Sequence, residues 1–299
     1  MMLALGRVLT GIVLMLAGVV HAADPPEANA QALRARHAAL QERLAHNEFQ
    51  RPLVLQSEQT SGDLKGDVYA VVDQGFSRVQ QLSQADHWCE VLILHLNVKH
   101  CAASGAEGAR KLAVTLGKKV DQDLDDAYRV DFDYQLAAAG AEYLQVLLHA
   151  DEGPLGTSDY RITLEALPLD ATHSFLHMTY SYAYGLAARI AMKGYLSTIG
   201  AGKVGFSIVG KTADGQPRYV DNVRGVVERN TMRYYLAIEA YLDSLAVPEA
   251  ERSEKRLEDW FAATERYPLQ LHELDRKDYI EMKHRELQRQ REGTLPEKK

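Results

Sequence analysis

The chain has 299 residues, 46% of them apolar, and 41 acidic against 34 basic side chains give a formal charge of −7. That balance excludes the basic character of a nucleic-acid binder, so no nucleic acid is expected as a partner. The length allows one large domain or two small ones, and the apolar share is enough for a sizeable core.

The first element is a targeting segment. Arg7 precedes an apolar run from Val8 to Val20, which closes on Val20-His21-Ala22 before Ala23. Basic, apolar and small-residue regions in that order make a cleavable secretory signal over residues 1–22. An uncleaved anchor is the alternative, but the run is short of the ~20 residues a spanning helix needs, and no cysteine stands at the cleavage point to take a lipid. Cleavage after Ala22 leaves 277 residues of formal charge −8, since Arg7 is lost. The mature chain is therefore expected in the periplasm, with no integral membrane span.

Residues 23–50 form an amino-terminal helical segment. A helix is predicted over 30–47, with Leu33, His37, Leu40 and Leu44 on one stripe and Arg34, Arg36, Glu42 and Arg43 off it. From Pro52 the period changes to two, which predicts strands over 52–58, 65–73, 93–100, 110–118, 128–137, 142–150, 158–168 and 174–184. In the fifth, Arg129, Asp131 and Asp133 alternate with Val130, Phe132 and Tyr134. The short connections at 138–140 and 169–172 suit hairpins and hence an antiparallel sheet. Between the second and third strands the pattern turns helical through Phe76, Val79, Leu82, Trp88, Val91 and Leu92. Cys89 and Cys101 are the only cysteines. In an oxidising compartment they read as a disulfide; two buried thiols are the other reading, and the spacing excludes a CxxC redox role.

After Gly185 helices dominate. Leu186, Ile190, Met192, Tyr195, Leu196 and Ile199 make residues 186–199 apolar on most sides, which predicts a largely buried helix. A hairpin follows, turning at Asp214-Gly215. Asn222 is placed to cap a helix running to about 246, with the stripe Val227, Thr231, Tyr234, Ile238, Tyr241 and Leu245. Pro248 ends it. Helices over 249–266 and 275–292 carry narrow stripes, at Leu257, Trp260 and Phe261 and at Tyr279, Met282 and Leu287, and they belong to a charged arm over 247–299 with a free end from Arg289.

Motifs of chemistry are sparse. Gly200 to Gly205 spells GxGxxG, but the dinucleotide mechanism needs a strand before it and a helix after, and here the order is reversed. A glycine-rich loop is the reading kept, and no cofactor is expected. The GxSxG nucleophile elbow is absent around Ser207, and His95, His100, His149, His173 and His177 fit no zinc spacing. His272-Glu273 lacks the second histidine of a zinc helix, and Asp121, Asp123, Asp125 and Asp126 lack the glycine and glutamate of a calcium loop. Neither a metal site nor a catalytic residue is therefore assigned. Arg224, Arg229 and Arg233, with Glu228 among them, either hold an anionic headgroup or form i,i+4 ion pairs along an exposed face. Met178, Tyr180, Tyr182 and Tyr184 share one face of the last strand, and Tyr234 and Tyr241 share a stripe of the long helix. Tyrosines suit the wall of a ligand cavity; a tyrosine-rich but ordinary sheet–helix interface is the alternative.

The run Lys65-Gly66-Asp67-Val68-Tyr69-Ala70-Val71-Val72-Asp73, then Phe76 opening a helix, then Ala85-Asp86-His87-Trp88-Cys89 before a new strand, resembles the opening of START-like domains. These are the helix-grip superfamily of polyketide cyclase and lipid-transfer type. Over residues 51–246 the resemblance implies an α+β fold, a curved antiparallel sheet gripping a long carboxy-terminal helix over an apolar cavity, with extra helices at both ends. The helix at 186–199 and the hairpin at 203–221 depart from that order and leave open which helix is gripped. The function expected on this basis is binding or transport of an apolar or amphipathic small molecule, lipid-like, in the cavity. The alternative is an envelope interaction protein with a filled core that holds a protein partner by its arm. An enzyme using the same cavity is the weaker third reading, because no acid, base or nucleophile is arranged for it.

Overall fold

The computed structural model describes residues 26–196 and 202–293. The predicted signal segment and Ile199, Gly200 and Ala201 lie outside the described residues. Helix α1 (Pro26–Ala45) precedes the hairpin β1 (Leu53–Gln59) and β2 (Asp63–Val72). The short helices α2 (Phe76–Val79) and α3 (Ala85–Leu92) lead to β3 (Val98–Ser104), β4 (Lys111–Leu116), β5 (Tyr128–Ala139), β6 (Leu144–Glu152), β7 (Thr157–Pro168) and β8 (Ser174–Tyr184). Next come α4 (Leu186–Leu196), the small hairpin β9 (Ile208–Lys211) and β10 (Pro217–Tyr219), and the long α5 (Asn222–Ser244). The arm holds α6 (Glu249–Thr264), the single turn α7 (Pro268–Leu271) and α8 (Arg276–Arg291). No described helix is long and apolar enough to cross a membrane.

Among the described residues β1 to β8 make one antiparallel sheet in the order β1-β2-β8-β7-β6-β5-β4-β3. The meander from β3 to β8 pairs each strand with the next in sequence, and β2 closes the order by pairing Val68 with Met178 on β8. The sheet curves around α5, which is buried along most of its length. The strands put alternate side chains on the two faces, so Leu176, Met178, Tyr180 and Tyr182 point to the main core while His177, Thr179 and Ser181 take the other face. Gly66 sits where α5 crosses β2, and a Cβ there would collide with the Thr231 side chain. Glycine is thus what lets helix and strand approach.

Several expectations need correction. The third strand starts at Val98 rather than at 93, because Ile93, Leu94 and His95 extend α3 through backbone bonds to Cys89, Val91 and Leu92. A fully buried apolar run such as Val91-Leu92-Ile93-Leu94 has no period with which to tell helix from strand. Helix α1 docks away from the main core: Leu33, Leu40 and Leu44 build a second core on the outer face with Val54, Tyr69, Leu167 and Phe175. Helix α4 is not largely buried, since Leu186 and Ile190 are 74% and 66% exposed. Among its described side chains Ala188 is buried, and the helix packs against β8 and the turn at 154–156. Asn222 is the first residue of α5 and stands in the left-handed region at φ 54°, so Asp221 takes the cap position. Arg289 itself is not free, since its guanidinium pairs with Asp121 at 3.0 Å, and residues 294–299 of the expected free end lie outside the described residues.

Cys89 and Cys101 are bonded, tying α3 to β3 at a Cα–Cα distance of 5.2 Å. The arm packs on the domain. Trp260 Nε1 donates to the Arg233 carbonyl of α5 at 3.0 Å, and the Tyr279 hydroxyl donates to the Leu94 carbonyl at 3.0 Å.

Candidate functional site

The sheet and α5 do not close on each other everywhere. Between them lies a cavity of about 640 Å³, bounded by β4, β5, β7, β8, α5 and α4 and by the loop from Gly117 to Gln122. Its apolar wall is built by strand alternation: Val114 and Leu116 on β4, Phe132 on β5, Ile162 on β7 and Tyr180 and Tyr182 on β8. A bulge between Ser158 and Arg161, with Asp159 at φ 49°, bends β7 beside Tyr160. That ring stacks on Tyr182 with centroids 5.1 Å apart, and Tyr180 meets Tyr234 of α5 at 5.2 Å. The four tyrosines form one continuous aromatic panel. Burial pushes the hydroxyls of Tyr160, Tyr180, Tyr182 and Tyr234 up, so they are neutral donors throughout the neutral range.

The sequence readings divide here. Tyr180, Tyr182 and Tyr234 line the cavity, and so do Arg229 and Arg233. Met178 is fully buried against the core instead. The Tyr184 hydroxyl is turned to the strand end, where it donates to the Thr60 carbonyl at 3.1 Å. Tyr241 lies on another side of α5, under the Arg256 guanidinium at 4.7 Å. Arg224 donates to Ser57 Oγ at 2.7 Å and stands off the cavity wall. The exposed i,i+4 ladder is not what the other two make, for Arg229 and Arg233 are both 1% exposed.

Tyr160, Lys119 and Asn230 also line the cavity without being singled out by the sequence, and so do His95 and Glu273, which enter the sequence reading only in zinc patterns that fail. Tyr160 was within reach, because it shares its phase on β7 with Ile162 and Leu164. The others lie on turns or off the apolar stripe, where no period marks them.

These residues give the cavity a polar end. Glu273 accepts from Arg233 at 2.8 Å and Lys119 at 2.5 Å, and Lys203 stands 3.4 Å away. Burial pushes the Glu273 carboxyl up, but the charges of Arg233 and Lys119 outweigh it and hold it down to about 2. Burial, joined by the Arg233 charge, brings Lys119 down to about 8 against the pull of Glu273. His95 stacks on Tyr234 at 4.6 Å. Its burial, followed by the charges of Arg233, Lys283 and Lys119, holds its pKa well below the usual range, so the ring is neutral. Among the described residues no three histidine, cysteine, aspartate or glutamate side chains gather as metal ligands.

No protein-family model and no curated protein matches the chain. Solved structures similar to it include truncated norcoclaurine synthase from Thalictrum flavum, at 14% identity over 48% of this chain and 91% of that one, with a TM-score of 0.33. Human StAR-related lipid transfer protein 5 is similar at 9% identity over 57% of this chain and 89% of that one, TM-score 0.31. A conserved protein from Geobacillus kaustophilus is similar at 14% identity over 46% and 86%, TM-score 0.31. By its own strand order and by the long helix α5 held in the curve of its sheet, the chain has an α+β helix-grip architecture.

Proposed function

We propose that the protein binds or carries an apolar or amphipathic small molecule in the periplasm, with the cavity between the sheet and α5 as the binding site. The observation that carries this reading is a volume of about 640 Å³ walled by Tyr160, Tyr180, Tyr182 and Tyr234. Small-molecule sites commonly enclose roughly 300–1,000 Å³, mostly apolar with a few convergent polar groups. The same volume speaks against a filled core, and the arm uses Leu257, Trp260, Tyr279 and Met282 inward, against the domain. The periplasmic part of the reading rests on the signal pattern of residues 1–22.

The mature chain, stripped of bound lipid, is expected to take up the neutral probe N-phenyl-1-naphthylamine at one per molecule, with enhanced fluorescence. A Val114→Trp variant, whose indole occupies the cavity, is expected to keep its circular dichroism and lose uptake. No uptake by the stripped wild-type chain would refute the carrier reading, and recovery of intact Met1 from the membrane fraction would refute the location.

A further inference from the structure

Charge is distributed unevenly around the cavity. Arg233, Lys119 and Lys203 converge on Glu273, all within 3.4 Å of its carboxylate. Arg229 adds a fourth cation on the same wall, where its Nη1 donates to the Val204 carbonyl at 3.1 Å. The one other carboxylate among the described lining residues belongs to Asp126, which is exposed. Three cations therefore stand around one half-buried carboxylate, with Arg229 a further cation in the cavity wall, in a place where low polarisability strengthens every charge interaction. A positive excess in an enclosed wall favours an anion.

Hydrogen bonding points the same way. The Asn97 backbone N–H donates to His95 Nδ1 at 3.1 Å, so the neutral ring carries its proton on Nε2. That Nε2 is buried and makes no well-formed hydrogen bond, with Asn230 the polar group beside it. A donor of this kind at the cavity wall is satisfied by an acceptor brought in by a ligand. The tyrosine panel continues from this end, through Tyr234, toward Tyr180, Tyr160 and Tyr182.

We infer that this polar end is an anion site: the cavity selects amphiphiles whose head is a carboxylate or phosphate, held by Arg229, Arg233, Lys119 and His95, with the tail along the tyrosine panel. The inference rests on the carrier reading above and names its ligand class. Charge-assisted hydrogen bonds are the stronger kind, which gives an anionic head its advantage over a hydroxyl.

The test uses the full mature chain stripped of lipid, with affinities measured by displacement of N-phenyl-1-naphthylamine and by calorimetry. Dodecanoate and dodecyl phosphate are each expected to bind at least about tenfold more tightly than dodecanol, a difference of about 1.4 kcal/mol. Lys119→Gln is expected to weaken dodecanoate and dodecyl phosphate far more than dodecanol, and so to erase most of that preference. Lys119 is chosen because Arg233, which is buried and holds Glu273, is a variant that risks the fold. Arg229→Met serves as the second variant, with the same expectation.

Equal affinity for dodecanol and dodecanoate would overturn the anion site and leave the carrier reading standing. Variants that weaken dodecanol as much as dodecanoate would also overturn it. Inorganic phosphate or acetate binding as tightly as its dodecyl counterpart would assign the site to free anions and overturn the amphiphile. Failure of every dodecyl compound to bind would overturn both readings together.

Discussion

His177 is held on the outer face of the sheet by two carboxylates at once. Nδ1 lies 2.8 Å from Glu165 Oε2 and Nε2 lies 2.9 Å from Asp67 Oδ1, with Tyr69 stacked on the ring at 4.2 Å. Two acceptors, one at each ring nitrogen, require the imidazolium. Burial disfavours that charge, but the hydrogen bonds to Asp67 and Glu165 outweigh it and raise the pKa. Burial likewise pushes Asp67 and Glu165 up, and bonds from His177, from Thr179 to Asp67 and from Tyr143 to Glu165 bring both below the usual range. Lys65, 3.0 Å from Asp67, adds to the same effect. A group with a raised folded pKa contributes stability that is complete below its unfolded value and is lost as pH rises through the folded one. The carboxylates contribute theirs above about pH 4 and lose it on acidification. The stabilisation is therefore greatest between about pH 5 and 6.5 and declines at alkaline pH. His177→Gln is expected to lower stability by about 2–3 kcal/mol near pH 6, with a smaller deficit at pH 9, read from urea unfolding at both. A deficit that does not change with pH would show that His177 is neutral in the fold. The triad was invisible in the sequence because register, not spacing, assembles it: His177 faces Glu165 across β7, and Asp67 comes from β2 on the other side.

Helix α8 lies where the sequence places it, but the sequence understates its buried face. Its apolar stripe reads as narrow because charged residues complete the buried face: Tyr279, Met282, Lys283 and Glu286 recur at helical spacing and are all buried. Glu286 accepts from Lys99 of β3 at 2.9 Å and from Lys283 at 2.7 Å, and all three side chains are wholly buried. The remaining ammonium hydrogens go to the carbonyls of Leu96, His95 and Val98 and to Met282 Sδ. This cluster fixes the arm to the end of α3 and the start of β3, beside the disulfide. Glu286→Gln leaves two buried lysines with a neutral partner, and losing one member of a buried ion pair costs about 3–5 kcal/mol. The variant is expected to unfold earlier in urea by that amount and to be cut within α8 by trypsin under native conditions. A wild-type unfolding midpoint would mean the lysines are held by the carbonyls alone. Composition by itself made the arm look solvated, whereas α1, with a clean leucine stripe, was legible to within a few residues. Helix α4 failed in the opposite direction, since apolar Leu186 and Ile190 face outward. A stripe shows what a helix can bury and not whether a neighbour arrives to cover it.

At the scale of the whole molecule, strand alternation carried most of the fold, because a period of two is local and seven of the eight sheet strands show it clearly in sequence. The cavity was only half legible. Tyr180, Tyr182 and Tyr234 could be placed by phase, but Tyr160, Lys119 and Glu273 join them only once β7, the loop after β4 and the arm are brought together. A space of about 640 Å³ also means wall atoms that lack partners on one side, so the empty protein forgoes packing that a ligand supplies. Binding to the folded state alone adds RT ln(1 + [L]/Kd), about 2.7 kcal/mol at a hundred times Kd. For a domain near this size each kcal/mol moves the Tm by roughly 2–4 °C, so saturation with dodecanol, a neutral ligand, is expected to raise the Tm of the stripped chain by about 5–10 °C. The rise depends on the cavity, so Val114→Trp is expected to lose it. If Val114→Trp shows the same rise as wild type, the ligand is binding elsewhere, and the space between sheet and helix is not the site.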